Sequence, residues 1–97
     1  MGAFENQARD ELIDALAFFG LDRMDSVTYL TLLDYGPSTM SQLASKLEVD
    51  RGKIYKKKKK LVNLGIVKLN NNKVTTCEAL DPETAFMILI EKKKTDV

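Results

Sequence analysis

Nine cationic side chains lie between Arg51 and Lys73 with no acidic residue among them, and five of the nine form the consecutive run Lys56 to Lys60. Clustered ammonium and guanidinium groups donate charged hydrogen bonds to anionic oxygens, and in this number they suit a polyanion. Lysine is a compact point charge without arginine's planar fork. Contacts from the run should therefore fall mainly on phosphates, with salt-dependent affinity and modest sequence preference. Other chemistries are poorly furnished. The chain has no histidine and a single cysteine, Cys77, which removes Ser-His-Asp and Cys-His arrangements, imidazole zinc sites and thiolate clusters. No glycine-rich phosphate loop occurs. Asp10, Glu11, Asp14, Asp22 and Asp25 read as caps and solvated helix faces, so neither catalysis, a cofactor nor a metal is expected, and Cys77 reads as a small buried hydrophobe.

Elements must hold the cations in place. Gly36 to Lys68 reads as two short helices around a tight Glu48-Val49-Asp50 turn, the second helix strongly basic. A helix–turn–helix of this kind is the simplest way to set donors in the major groove of a duplex. Upstream, Phe4 to Phe19 is helical in pattern, with Ala8, Leu12, Ala15, Leu16 and Phe19 three or four apart, and Gly20 ends it. Asp22 caps a second helix whose inward stripe is Met24, Val27, Leu30 and Leu33, widened by Tyr29 and Leu32, and Gly36-Pro37 stops it. Thr39-Met40-Ser41-Gln42 has capping-box spacing and starts the third helix, with Leu43, Ala44 and Leu47 on its buried side. Thr39, Ser41 and Gln42 carry two readings, phosphate contact or capping alone.

Asp50 caps the fourth helix, which runs to about Leu64 and closes at Gly65. Ile66 to Leu69 and Lys73 to Cys77 are β-prone runs around Asn70-Asn71-Asn72, a natural tight hairpin because asparagine tolerates positive φ. Asp81-Pro82-Glu83 starts a last helix, running to about Lys93 before a frayed tail. The expected fold is mainly α with a small β-hairpin: a winged helix–turn–helix with an added helix at each end. Residues 1–97 form one domain, with the N-terminal helix in 1–20, the winged core in 22–80, and the C-terminal helix and tail in 81–97.

Charge divides along the chain. Met1 to Asp50 holds three basic and nine acidic residues, a net of −6, whereas Arg51 to Val97 holds twelve and five, a net of +7. With Ile54 at the centre of the buried face and about 100° per residue, Gly52, Lys56, Lys59 and Asn63 lie opposite, with Tyr55 and Lys60 on the flanks. Gly52 would let the backbone approach a phosphate. Arg51 and Lys53 lead the helix, suited to base edges or phosphates. Lys58 falls about 40° from Ile54 and should lay its stem on the core with its amine at the edge. Lys57 sits on the other border of the buried stripe. Lys68, Asn71 and Lys73 furnish the wing for backbone or minor-groove contact, the alternative being a plain surface turn.

The terminal helices carry surplus apolar surface. Leu12, Leu16 and Phe19 in the first, and Phe86 and Ile90 in the last, suggest a homodimer interface; the alternative is that the two helices pack together within one chain. A single cysteine suits a reducing cytosol, no basic-then-apolar leader opens the chain, and no apolar run is long enough to span a bilayer. The expected setting is cytoplasmic and nucleoid-associated, with no membrane partner.

Phe19-Gly20-Leu21 through Leu33, Gly36-Pro37, Leu43-Ala44, Val49-Asp50-Arg51-Gly52-Lys53-Ile54-Tyr55, Leu61 through Val67 and Ala79 through Ala85 together resemble the DNA-binding domain of the archaeal TrmB-type transcription regulators, over roughly residues 19 to 90. The resemblance implies a winged helix on double-stranded DNA, with the positions of Arg51, Lys53 and Tyr55 at the DNA surface. It also marks two departures: Lys58 stands where the family normally has leucine, and Cys77 where it tends to have an aromatic residue. The family usually carries a sugar-sensing domain after this module, and this chain ends where that domain would begin, so no small-molecule effector is expected. The leading function is a stand-alone, dimeric, sequence-specific regulator, with the recognition helix at about 50–64 in the major groove and the wing at about 66–78. The alternatives are a protein-interaction adaptor and a nonspecific, chromatin-like DNA-binding protein.

Overall fold

Four side-chain caps begin four of the five helices. Asp22 accepts the Asp25 amide, Thr39 the Gln42 amide, Asp50 the Lys53 amide and Asp81 the Thr84 amide, each satisfying a donor that the first helical turn leaves free. At Asp22 and Thr39 the third residue returns the bond, completing capping boxes. The structure, a computed structural model, describes residues 6–95. The elements are α1 (Asn6–Ala17), α2 (Arg23–Tyr35), α3 (Met40–Leu47), α4 (Arg51–Leu64), β1 (Val67–Asn71), β2 (Thr75–Ala79) and α5 (Pro82–Thr95). Phe4, the expected start of the first helix, lies outside the described residues, as do the last two residues of the tail. The order is that of a winged helix–turn–helix flanked by a helix at each end.

α2 is the hub, packed against α1, α3, α4 and β2. Its burial departs from the single stripe expected of it. Tyr29, Leu30 and Leu32 are enclosed, Met24, Val27 and Leu33 are only half-buried, and Asp25, Ser26, Thr28 and Thr31 are buried with the hydrophobes. A helix covered by four neighbours keeps little solvent face, and its buried polar residues then need partners inside, which the Ser26 hydroxyl lacks. Thr28 and Thr31 find theirs by donating to the carbonyls four residues back, at 2.7 and 2.8 Å. Around α2 the core collects Leu16, Leu21, Leu43, Ile54, Leu61, Ile66, Val67, Cys77, Ala85 and Leu89.

The hairpin register pairs Val67 with Ala79, Leu69 with Cys77 and Asn71 with Thr75. Its turn is therefore Asn72-Lys73-Val74, later than the Asn70–Asn72 tip expected from composition. Asn70 is a strand residue whose amide donates to Glu78 at 3.1 Å. Register follows burial: Val67 and Cys77 turn inward, and a slip would expose them. No asparagine there takes positive φ; among the described residues the one non-glycine residue that does is Glu48, at φ 55°. Ser38 adds a short third strand segment, exchanging both backbone bonds with Cys77 at 3.0 and 2.8 Å. That bridge fastens the α2–α3 connection to the wing.

Candidate nucleic-acid interface

α4 presents its lysines to three different environments. On the side facing α2, Lys57 Nζ bonds Asp22 Oδ2 at 2.9 Å and lies 3.1 Å from Asp25 Oδ1. Lys60 Nζ reaches Asp25 Oδ2 and the Gly20 carbonyl. Lys60 lies on the flank expected of it, and its amine is drawn back onto Asp25 and the Gly20 carbonyl. Asp25 departs from expectation, because it is wholly enclosed rather than solvated. A buried carboxylate must be compensated, and two ammonium groups three residues apart do this from one face of α4.

Toward the other flank, Lys58 Nζ stands 4.2 Å from the centroid of the Tyr55 ring. The ring's negative face accepts the charge while the lysine stem covers the core edge, so a cationic residue fits a position where leucine would pack. Lys58 also bears on Cys77: burial pushes the thiol above its usual range, and the nearby ammonium partly opposes this. Tyr55 itself is half-exposed.

What remains on the outward side is Arg51, Lys53, Lys56, Lys59 and Asn63, all exposed. Among the described residues the four cations make no ion pair. Gly52 has a purpose within the chain: a Cβ there would stand 3.2 Å from Asp50 Oδ1, the oxygen that caps the helix. The Lys53 amide in the first turn of α4 is already bonded to the Asp50 carboxylate, and an incoming phosphate would compete with Asp50 for that amide.

In α3, Thr39 and Gln42 spend their side-chain oxygens on each other's backbone, at 3.1 and 2.9 Å, while Ser41 is exposed. On the wing, Lys68 lies 3.7 Å from Glu78, and Asn71 and Lys73 are exposed near the turn.

The electrostatics of the α2–α4 contact follow from its bonds. The ammonium of Lys57 holds the Asp22 carboxyl below the usual carboxylate value of 3.8, with the Asp25 amide assisting. The same contact raises Lys57 above the ordinary lysine value of 10.5.

The apolar surface lies elsewhere. Leu16, expected at a dimer interface, is fully enclosed within the chain and belongs to its core, while Leu12, Phe19 and Phe86 are half-buried. The rings of Phe19 and Phe86 meet at 5.8 Å, so the turn that follows α1 touches α5 within one chain. Phe18, Met87 and Ile90 remain exposed, at 68, 62 and 44%. Phe18, Phe19, Ile90, Lys93 and Lys94 line a shallow, nearly all-carbon groove.

Sequence reasoning placed Asp25 among solvated caps and missed its burial. The Asp22-x-x-Asp25 spacing signalled a cap, and the recurrence of Lys57 and Lys60 at i, i+3 hinted at one shared face. Nothing in sequence joined the two across 35 residues. Among the described residues no group of histidine, cysteine, aspartate and glutamate could hold a metal ion, and no helix is long and apolar enough to cross a membrane.

Element order, hairpin and basic second helix together define a winged helix–turn–helix of the DNA-binding regulator class. The chain matches the sequence profile described as sugar-specific transcriptional regulator TrmB over residues 16–83, most of its length, and it belongs to that family. No curated protein matches it. Among solved structures it is similar to TrmBL2, described as an archaeal chromatin protein with a novel mode of DNA binding. That match has a TM-score of 0.78 and 21% identity, over 91% of this chain and 34% of that one. It is also similar to the ST1889 protein of Sulfolobus tokodaii, with a TM-score of 0.69 and 17% identity, over 92 and 91%. A MarR family protein of Bacillus stearothermophilus gives a TM-score of 0.65 and 21% identity, over 93 and 64%. The chain thus spans about a third of TrmBL2.

Proposed function

We propose that this chain binds double-stranded DNA as a transcription regulator, with α4 in the major groove and the wing along the backbone or minor groove. The observation that carries the reading is the set of four exposed, unpaired cations, Arg51, Lys53, Lys56 and Lys59, on the second helix of a helix–turn–helix. Tyr55, Asn63, Asn71, Lys73 and Ser41 extend the contact, and Lys68 joins it by exchanging Glu78 for a phosphate. Two copies joined through the exposed apolar surface of α5 and the turn after α1 would place two α4 helices about one DNA turn apart, on an inverted repeat. The setting is the cytoplasmic nucleoid.

Fluorescence anisotropy against selected and random duplexes tests the reading. Four to six phosphate contacts predict a log-affinity slope against log salt of roughly −4 to −5. Arg51→Ala with Lys53→Ala should lose more discrimination between duplexes than Lys59→Ala. Absence of binding at low salt would remove the proposal.

A second reading is nonspecific coating of DNA, favoured by one observation: three of the four unpaired cations are lysines, which suit phosphates better than base edges. Equal saturation of every duplex would select it over the regulator.

A further inference from the structure

The lysine run contains two pairs of the same composition and spacing, Lys56 with Lys59 and Lys57 with Lys60, rotated from each other by about 100° around α4. Only one pair is committed inside the molecule. Asp25 is the third residue of α2 and has no solvent exposure. Its Oδ2 accepts the Asp22 amide at 2.9 Å and the Lys60 amine. Its Oδ1 faces Lys57 at 3.1 Å. Each lysine has a second anchor, Lys57 on Asp22 at 2.9 Å and Lys60 on the Gly20 carbonyl at 3.2 Å.

Each lysine leaving this site for a phosphate would take one of two ammonium groups from a buried carboxylate, and both leaving would strand it; a solvent-screened phosphate contact does not repay that loss. Two anchors one helical turn apart also resist rotation of α4 about its own axis. We propose that Asp25 is a positioning residue for DNA binding: it withdraws Lys57 and Lys60 from the duplex and fixes the rotation of α4, so that Arg51, Lys53, Lys56 and Lys59 carry the contact. This rests on the DNA-binding reading above. It gives Asp25 of α2 a part in recognition without touching DNA.

The experiment is lysine acetylation footprinting of the wild-type chain, free and on duplex DNA, with a salt titration of variants beside it. Lys57 and Lys60 should react slowly in the free chain, and DNA should add no protection. Lys56 and Lys59 should react quickly and be protected by DNA. Lys56→Gln with Lys59→Gln should flatten the salt slope by about two contacts. Asp25→Asn keeps the side-chain shape and an acceptor for the Asp22 amide, yet removes the charge shared by both amines and leaves each only its second anchor, Lys57 on Asp22 and Lys60 on the Gly20 carbonyl. It should steepen the slope by up to about two and reduce the preference for a selected duplex over a random one. Combining it with Lys57→Gln and Lys60→Gln should return the slope to the wild-type value.

A role in folding alone would change stability and leave the slope per bound molecule where it was. Protection of Lys57 and Lys60 by DNA equal to that of Lys56 and Lys59 overturns the inference. So does a folded Asp25→Asn chain with an unchanged slope. If that variant does not fold, the wild-type footprint decides. Failure of the wild-type chain to bind any duplex at low salt is a different result, and it strikes the DNA-binding reading itself.

Discussion

Lys57 and Lys58 are neighbours in sequence and opposites in surroundings: one is paired with carboxylates, the other lies on an aromatic ring. The first arrangement makes stability depend on pH at both ends of the scale. Asp22 titrates below 3.8 in the folded chain, so its contribution is full above that value and is lost as pH falls through the folded pKa. Lys57 titrates above 10.5, so its contribution is full below that value and is lost as pH rises through the folded pKa. Melting temperatures should therefore be level through neutral pH with respect to this pair. Asp22→Asn should reduce the acid-side slope below 3.8, and an unchanged slope would place the acid sensitivity elsewhere. Asp22 is largely exposed, so solvent screening keeps the effect small. A stronger single tie is the Tyr29 hydroxyl, which donates to the Leu80 carbonyl at 2.6 Å and joins α2 to the start of α5. Burial, with the nearby Asp81 charge, pushes this phenol well above its ordinary range and keeps it a donor at any physiological pH. Tyr29→Phe retains the ring and should cost about 1–2 kcal/mol, seen as a melting point lower by roughly 4–8 °C per kcal/mol. A melt superimposable on wild type would show that the carbonyl finds another donor.

Helix ends were the most legible elements. The caps at Asp22, Thr39, Asp50 and Asp81, and the closing Gly65, could be read because each depends on residue types within four positions of one another. Contacts that join distant segments could not. The Ser38–Cys77 bridge, the enclosure of Asp25 and the partition of the lysine run all depend on which elements stack beside α2, and periodicity in one segment carries no such information. The hairpin misled for a related reason: three asparagines looked like the turn, but burial of Val67 and Cys77 set the register and carried the turn onward to Val74. The connection between α3 and α4 holds one residue that local rules disfavour. α4 ends on Gly65 in the left-handed region at φ 88°, whereas α3 ends on Glu48 at φ 55° with its amide bonded back to Ala44 and Ser45. A side chain there costs on the order of 1–2 kcal/mol, partly offset because glycine has more freedom to lose on folding. Glu48→Gly should therefore stabilise the fold by up to about 1 kcal/mol, raising the melting point by several degrees. A lower melting point would mean that the Glu48 side chain holds the turn in a way its backbone does not reveal.

The whole molecule is polar in charge along its sequence and is stitched across that division by the α2–α4 pairs. The net of −6 in the first fifty residues faces a net of +7 in the rest, and the acids of α2 spend part of the excess internally. Away from that contact, Phe18, in the turn after α1, and Met87 and Ile90, on α5, expose apolar surface. Phe18 has its backbone carbonyl 3.5 Å from the Lys93 amine, which also lies 4.9 Å from its ring. These contacts hold the ring in place but leave most of it in water. A two-fold axis through this surface would bring its own copy against it and cover both at once. Neither Met87 nor Ile90 is among the enclosed core residues, so charging them should spare the fold. Met87→Glu with Ile90→Glu is expected to leave the helical circular dichroism and melting point nearly unchanged. For the proposed dimer, mass by light scattering should fall from twice 10.9 kDa to the single-chain value. Affinity for an inverted repeat should drop toward that for one half-site, because the second α4 no longer arrives with the first. Wild-type chain that scatters as one copy at micromolar concentration would remove the dimer and leave each α4 to find its own half-site. In that case the exposed Phe18 ring and the Met87 and Ile90 side chains would need a different cover.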